Sequence, residues 1–148
     1  MKIAVGADHA GYEVKKRIVR RLGELGHSVE DMGTDGPDSV DYPDFAHRVA
    51  VAVAGGRAER GILVCGSGIG MSISANKTPG ARAALCTGEY AARLARRHND
   101  ANILCLGARV TGVDLIVSMV EIFLSTPFEG GRHRRRVDKM EPGGHSKA

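Results

Sequence analysis

One cysteine of this chain stands where chemistry is easily built. Cys65 ends the apolar run Gly61 to Cys65 and is followed by Gly66-Ser67-Gly68-Ile69-Gly70, three glycines at alternate positions. Glycines there let backbone come close to a bound group. If the apolar run is a strand buried on both faces and Ile69 to Asn76 is the helix that follows, Cys65 sits beside a helix N-terminus, where free amides favour negative charge. The place suits a thiolate, a phosphate or a developing oxyanion. A thiol so placed is drawn from a pKa of about 8.5 toward neutrality and can serve as nucleophile or base. A cysteine is also an ordinary small core residue, and both readings stand at this point. Cys86 and Cys105 lack such a neighbourhood and read as core.

Other residues are individually unspecific. His98, in Arg96-Arg97-His98-Asn99-Asp100 just past a predicted helix, is either a surface or capping residue or a proton shuttle. Asp8-His9, between a strand and a helix, could cap that helix and do no more. Tyr42 precedes a proline and reads first as a turn or packing residue. Arg132 and Arg136 share one face of a helix, so they form a solvated charged face or, with Arg109, a phosphate clamp. The glycine turn is not a familiar phosphate loop. Met71 stands where a dinucleotide fingerprint needs its third glycine and where a phosphatase-type cysteine loop needs arginine, and Lys77-Thr78 is preceded by Asn76, not by the glycine of a P-loop.

The elements that must position these residues alternate. Lys2 to Gly6, Ser28 to Met32, Ile62 to Cys65, Arg82 to Cys86 and Ile103 to Leu106 read as strands. Between and after them come helices: Ala10 to Leu25, with apolar Val14, Ile18, Leu22 and Leu25 opposite a basic face of Lys15, Lys16, Arg17, Arg20 and Arg21; a segment opened by Pro43 and stopped by Gly55-Gly56; Ile69 to Asn76; Glu89 to Arg97; and Thr111 to Ser125. The alternation Val49 to Ala54 also suits a strand, but the segment is long, Ala-rich and opened by proline, which favours helix. A short basic helix follows Gly130-Gly131. Strands alternating with helices predict an α/β fold, a three-layer α/β/α sandwich around a five-stranded parallel sheet of Rossmann-like type. Ligands of such sheets bind beyond the carboxyl ends of the strands. Asp8, His9, Cys65 to Gly70 and Arg109 all fall there.

The chain has 148 residues, 43% of them apolar and only 4% aromatic, with 20 glycines and no tryptophan. That is one domain, taken as residues 1–140, with a polar tail at 141–148 that is expected to be loosely ordered. The net charge of +4 is concentrated at Arg132 to Arg136. No aromatics interleave with those arginines, which argues against nucleic acid. No charged-then-apolar leader and no run of about 18 apolar residues is present, which predicts neither membrane insertion nor export. Three cysteines, odd in number and widely spaced, fit reduced thiols in a cytoplasm.

Taken together, Asp8-His9-Ala10-Gly11, Asp41-Tyr42-Pro43, Cys65-Gly66-Ser67-Gly68-Ile69-Gly70, Ala75-Asn76-Lys77, His98-Asn99-Asp100, Gly107-Ala108-Arg109-Val110 and Gly130-Gly131-Arg132-His133 closely resemble the type B ribose-5-phosphate isomerases of the ribose/galactose isomerase family. The match runs in order from Lys2 to about Val137. The resemblance implies an aldose–ketose isomerase without metal or cofactor, interconverting ribose 5-phosphate and ribulose 5-phosphate through an enediolate in the non-oxidative pentose phosphate pathway. By that resemblance Cys65 is the base and His98 opens the furanose ring. Gly66, Ser67, Gly68, Ile69 and Gly70 hold the oxyanion, and Asp8 and Asn99 meet the sugar. His9, Arg109, Arg132 and Arg136 take the phosphate, and Tyr42 helps enclose the site. Some relatives use a glutamate beyond the turn; here Met71 and Ser72 stand there, leaving Cys65 as the base. Family members are homodimers or homotetramers whose sites combine two subunits, and relatives acting on galactose 6-phosphate or allose 6-phosphate define the nearest alternative. A non-catalytic anion- or nucleic-acid-binding module is the alternative from another class.

Overall fold

The computed structural model describes residues 1–143. Its elements in chain order are β1 (Lys2–Ala7), α1 (Tyr12–Glu24), β2 (Ser28–Asp31), α2 (Tyr42–Ala54), β3 (Arg60–Cys65), α3 (Ile69–Ala75), β4 (Ala83–Leu85), α4 (Glu89–Asn99), β5 (Ile103–Gly107), α5 (Val113–Ser125) and α6 (Arg132–Met140). The five strands are all parallel and lie in the order β2-β1-β3-β5-β4. This is the predicted α/β architecture. The part of the polar tail at 144–148 lies outside the described residues. Its first residue, Glu141, accepts hydrogen bonds from Arg82 Nη1 at 2.6 Å and from the Gly80 amide at 3.3 Å.

Side-chain alternation along the strands makes the three layers. Ile3, Val5, Ile62, Val64, Leu104 and Leu106 face the layer of α1, α4 and α5, where they meet Ile18, Leu22, Ile116, Met119 and Phe123. Ala4, Leu63, Cys65, Ile103 and Cys105 face α2 and α3, against Phe45, Val49, Val53 and Met71. Central strands apolar on both faces require helices on both faces. Each large side chain so taken from water contributes about 1.5–3 kcal/mol.

The Val49 to Ala54 alternation is helical: Val49, Ala50, Ala52 and Val53 are buried and Val51 is exposed, a helical and not a two-residue period. Pro43 lies in the first turn of that helix, where its missing N–H costs nothing. Three expectations are corrected. α1 begins at Tyr12 and not at Ala10, because the Asp8 carboxylate takes the amides of Ala10 and Gly11 before the helix starts. Lys15 does not belong to the solvated face; it is 2% exposed and its Nζ lies 2.6 Å from Asp31 Oδ1. His98 lies within α4, which continues through Asn99 until Asp100 adopts a left-handed conformation at φ 45°.

Candidate active site

The first crossover, through α1, carries the chain from β1 out to β2, and the second, through α2, brings it back past β1 to β3. The carboxyl ends of β1 and β3 therefore flank the point where the winding reverses, the place where open α/β sheets bind ligands. Asp8 and Cys65 occupy these ends. The Asp8 amide donates to Val64 O at 3.2 Å, tying the two strand ends together. The Asp8 side chain is buried, and its Oδ1 accepts from Ala10 N at 2.9 Å and Gly11 N at 3.1 Å. Asp8 thus builds the β1–α1 turn as well as standing at its mouth.

Cys65 turns its side chain toward the α2–α3 layer and is 4% exposed. Its Sγ accepts the Gly68 amide at 3.1 Å. The chain closes back over the sulfur only because Gly68 adopts φ 80°; a Cβ there would also lie 2.5 Å from Leu85 Cδ1 and 2.9 Å from the Leu106 carbonyl carbon. Ser67 Oγ accepts the Ile69 amide at 3.2 Å. The β3–β5 pairing continues beyond the strands, with Ala108 N donating to Cys65 O at 2.8 Å and Arg109 N to Gly66 O at 2.9 Å. That continuation sets the Arg109 side chain over the turn: a Cβ on Gly66 would lie 3.4 Å from Arg109 Cδ. Tyr42, at the start of α2, lays its ring on Gly70, where a Cβ would lie 2.5 Å from ring carbons. His9 Nδ1 accepts the Val40 amide at 3.2 Å. A backbone amide can only donate, so the ring proton sits on Nε2, which is left as a donor.

Burial pushes the Cys86 thiol up to about 11. Burial, with Cys65 and Cys86 nearby, raises Cys105 further. Both remain protonated near neutrality and are core residues, as predicted.

The remaining predicted residues lie elsewhere. His98 and Asn99 end α4 just before β5 begins, and α6 packs against α4, so His98, Asn99, Arg132 and Arg136 belong to the amino ends of the strands. At about 3.3 Å per residue, the six residues of β3 put about 15–20 Å between the two edges of the sheet. Within one chain the predicted residues form two separate groups. The second is held by residues to which no role was given. The His133 ring stacks on that of His98 with centroids 4.3 Å apart and planes at 10°. Glu129 Oε2 lies 3.6 Å from His98 Nε2 and 3.1 Å from Arg97 Nε. One ligand atom each from His98, Glu129 and His133 falls within 4.8 Å of the others. Stacked imidazoles direct their lone pairs in parallel planes and do not converge on one ion, so the group does not fit a metal as it stands. The His133 pKa is lowered by burial and then by His98, Arg132 and Arg136, against an opposing pull from Glu129. His133 was legible only as the last residue of Gly130-Gly131-Arg132-His133, and Glu129 carried no signal.

Fold and site define a doubly wound α/β protein with a cysteine turn at its topological switch point and the Arg109 side chain beside it. The family model for Ribose/Galactose Isomerase matches residues 3–140, and the chain belongs to that family. It is similar to ribose-5-phosphate isomerase B of Escherichia coli, at 49% identity over 94% of this chain and 93% of that protein. Among solved structures it is similar to ribose-5-phosphate isomerase B of Clostridium thermocellum, at 54% identity and TM-score 0.94 over 95% of both chains. A ribose 5-phosphate isomerase of Thermotoga maritima matches at 51% identity and TM-score 0.92 over 95% of this chain and 97% of that one.

Proposed function

We propose that this chain interconverts D-ribose 5-phosphate and D-ribulose 5-phosphate, in sites each assembled from the carboxyl-end group of one copy and the amino-end group of another. The observation that carries the chemistry is the Gly68 amide directed at Cys65 Sγ in a turn flanked by Asp8 and Arg109. A base for a carbon acid must reach the proton, and donors must meet the oxygen on which charge develops. Cys65 takes the C2 proton of the open-chain aldose and returns a proton to C1, while the C2 hydroxyl proton reaches O1. The intervening enediolate lies against the amides of Gly66 to Gly70 and Ser67. Asp8 and Asn99 hold sugar hydroxyls, and Tyr42 covers the pocket from α2. His9 Nε2 and the guanidinium groups of Arg109, Arg132 and Arg136 receive the phosphate. His98 moves the proton that opens the furanose.

The two-copy arrangement is supported by the separation of the groups, since a pentose phosphate is shorter than the gap between the sheet edges. A homodimer or homotetramer meets that need. Among the described residues no helix is long and apolar enough to cross a membrane. Three free cysteines support a reducing, cytoplasmic setting.

Cys65→Ala tests the reading. Solvent deuterium should no longer enter C2 of ribose 5-phosphate, with turnover down at least about a thousandfold, while calorimetry still records ribulose 5-phosphate binding. Near-normal turnover would refute it. A panel of aldose phosphates assayed in parallel separates the pentose from galactose 6-phosphate and allose 6-phosphate.

A further inference from the structure

We propose that Glu129 and His133 are positioning residues that hold the His98 ring in the plane and tautomer needed for ring opening. The proposal rests on the reading of His98 given above.

Furanose opening is a proton relay. The anomeric hydroxyl loses its proton, the bond from C1 to the ring oxygen breaks, and that oxygen gains a proton; no other reactant is consumed. An imidazole that serves both atoms must keep a fixed plane and offer a defined nitrogen. His98 sits at the end of α4, half-buried, on a side chain with two free torsions. A stacked ring and a neighbouring carboxylate restrict that freedom. The His133 ring covers one face of His98 at 4.3 Å, and His133 is itself 5% exposed. His133 Nε2 is buried without a hydrogen-bond partner, so the ring is kept there at the cost of an unmade bond. Burial, then His98 and the Arg132 and Arg136 guanidinium groups, lower the His133 pKa and so disfavour a charge on the ring stacked against His98.

Glu129 fixes the edge. Its amide donates to Arg97 O at 3.0 Å, and its carboxylate lies between Arg97 Nε at 3.1 Å and His98 Nε2 at 3.6 Å. A carboxylate on that side favours the tautomer with hydrogen on Nε2 and leaves Nδ1 as the basic nitrogen. The charged and titratable groups that face this pair of rings are Arg97 on the same helix as His98, Glu129 on the loop before α6, and Arg132 and Arg136 on α6, which act on His133.

The test separates ring opening from enolisation. Exchange of a C1 hydrogen of ribulose 5-phosphate with deuterium oxide needs Cys65 but no ring opening, whereas net turnover of ribose 5-phosphate needs both. His98→Asn should lose about a hundredfold in net turnover and keep exchange within about threefold of wild type. His133→Ala and Glu129→Ala should each lose about tenfold in net turnover with exchange unchanged, and His133→Phe, which keeps a flat ring, should recover most of the loss. At alkaline pH, the ¹⁵N shifts of His98 should report hydrogen on Nε2 in the wild type and a tautomer mixture in Glu129→Ala. Wild-type turnover in both alanine variants overturns the proposal, as does an equal loss of exchange and turnover, or an unchanged tautomer in Glu129→Ala. If His98→Asn itself loses exchange and turnover equally, the ring-opening reading falls and takes this one with it.

Discussion

The two groups of polar residues are built differently. Around Cys65 the positions are set by backbone: the β1–β3 and β3–β5 pairings run on into the turns, and Asp8, the Gly68 amide and Arg109 follow from where the strands stop. Around His98 they are set by side chains meeting across two helices, a ring on a ring and a carboxylate beside both Arg97 and His98. A turn anchored in a sheet core moves only when the sheet does, which suits the proposed base and the oxyanion donors it would have to match. A group on helix ends can be changed without disturbing the sheet, which suits the part proposed for it, meeting the rest of the sugar in a site shared with a second copy.

The largest effect should come from mixing. Cys65→Ala and His98→Asn each damage one group only, so unfolding and refolding the two inactive variants together should restore activity. Random pairing of two copies makes half the dimers mixed, each with one intact site, giving about a quarter of wild-type activity. No recovery above either parent would mean that the two groups do not meet across an interface.

A smaller effect separates the groups within one chain. Gly70→Ala places a methyl 2.5 Å from ring carbons of Tyr42. The ring must swing out, so kcat/KM should fall about tenfold, about 1.4 kcal/mol, without loss of fold. Adding Tyr42→Ala should then cost little more, because both changes act on one contact. Additive losses would show that Gly70 matters for another reason.

The smallest effect is on stability and belongs to the α6 side. The lowered His133 pKa means that, as pH falls through the ordinary imidazole range of about 6.5, the unfolded chain takes up a proton before the folded one. The stability of the folded state is therefore full above that range and declines below it. Tm measured from about pH 7.5 to 5 should drop, and His133→Phe should drop less. An identical drop in the variant would remove His133 from the account.

Much of this was readable from one-dimensional patterns. Strand and helix alternation, Pro43 at the head of α2 and the glycine stops are local, and local preference agreed with the final packing in each case. The failures were places where a side chain, near or far along the chain, took a partner that periodicity does not show. Lys15 looks solvated from its basic neighbours and is buried because Asp31, on β2, receives its ammonium. α1 starts late because the Asp8 carboxylate competes for the first amides. Glu129 carried no pattern and His133 only its place at the end of Gly130-Gly131-Arg132-His133, since what each touches depends on what α4 brings beside it.

By itself, then, the order of residues determined the layered parallel sheet, the cysteine turn at a strand end and the set of motifs that mark the family. Those depend on periodicity and on contacts a few residues long. Only the tertiary structure decided the strand order, which puts the ends of β1 and β3 side by side, and the assignment of Cys65 and His98 to opposite edges of the sheet. The physical reason is that a crossover helix runs back along the strands it joins. Residues at its end are carried to the edge of the sheet opposite the strand ends, whatever chemistry they bear.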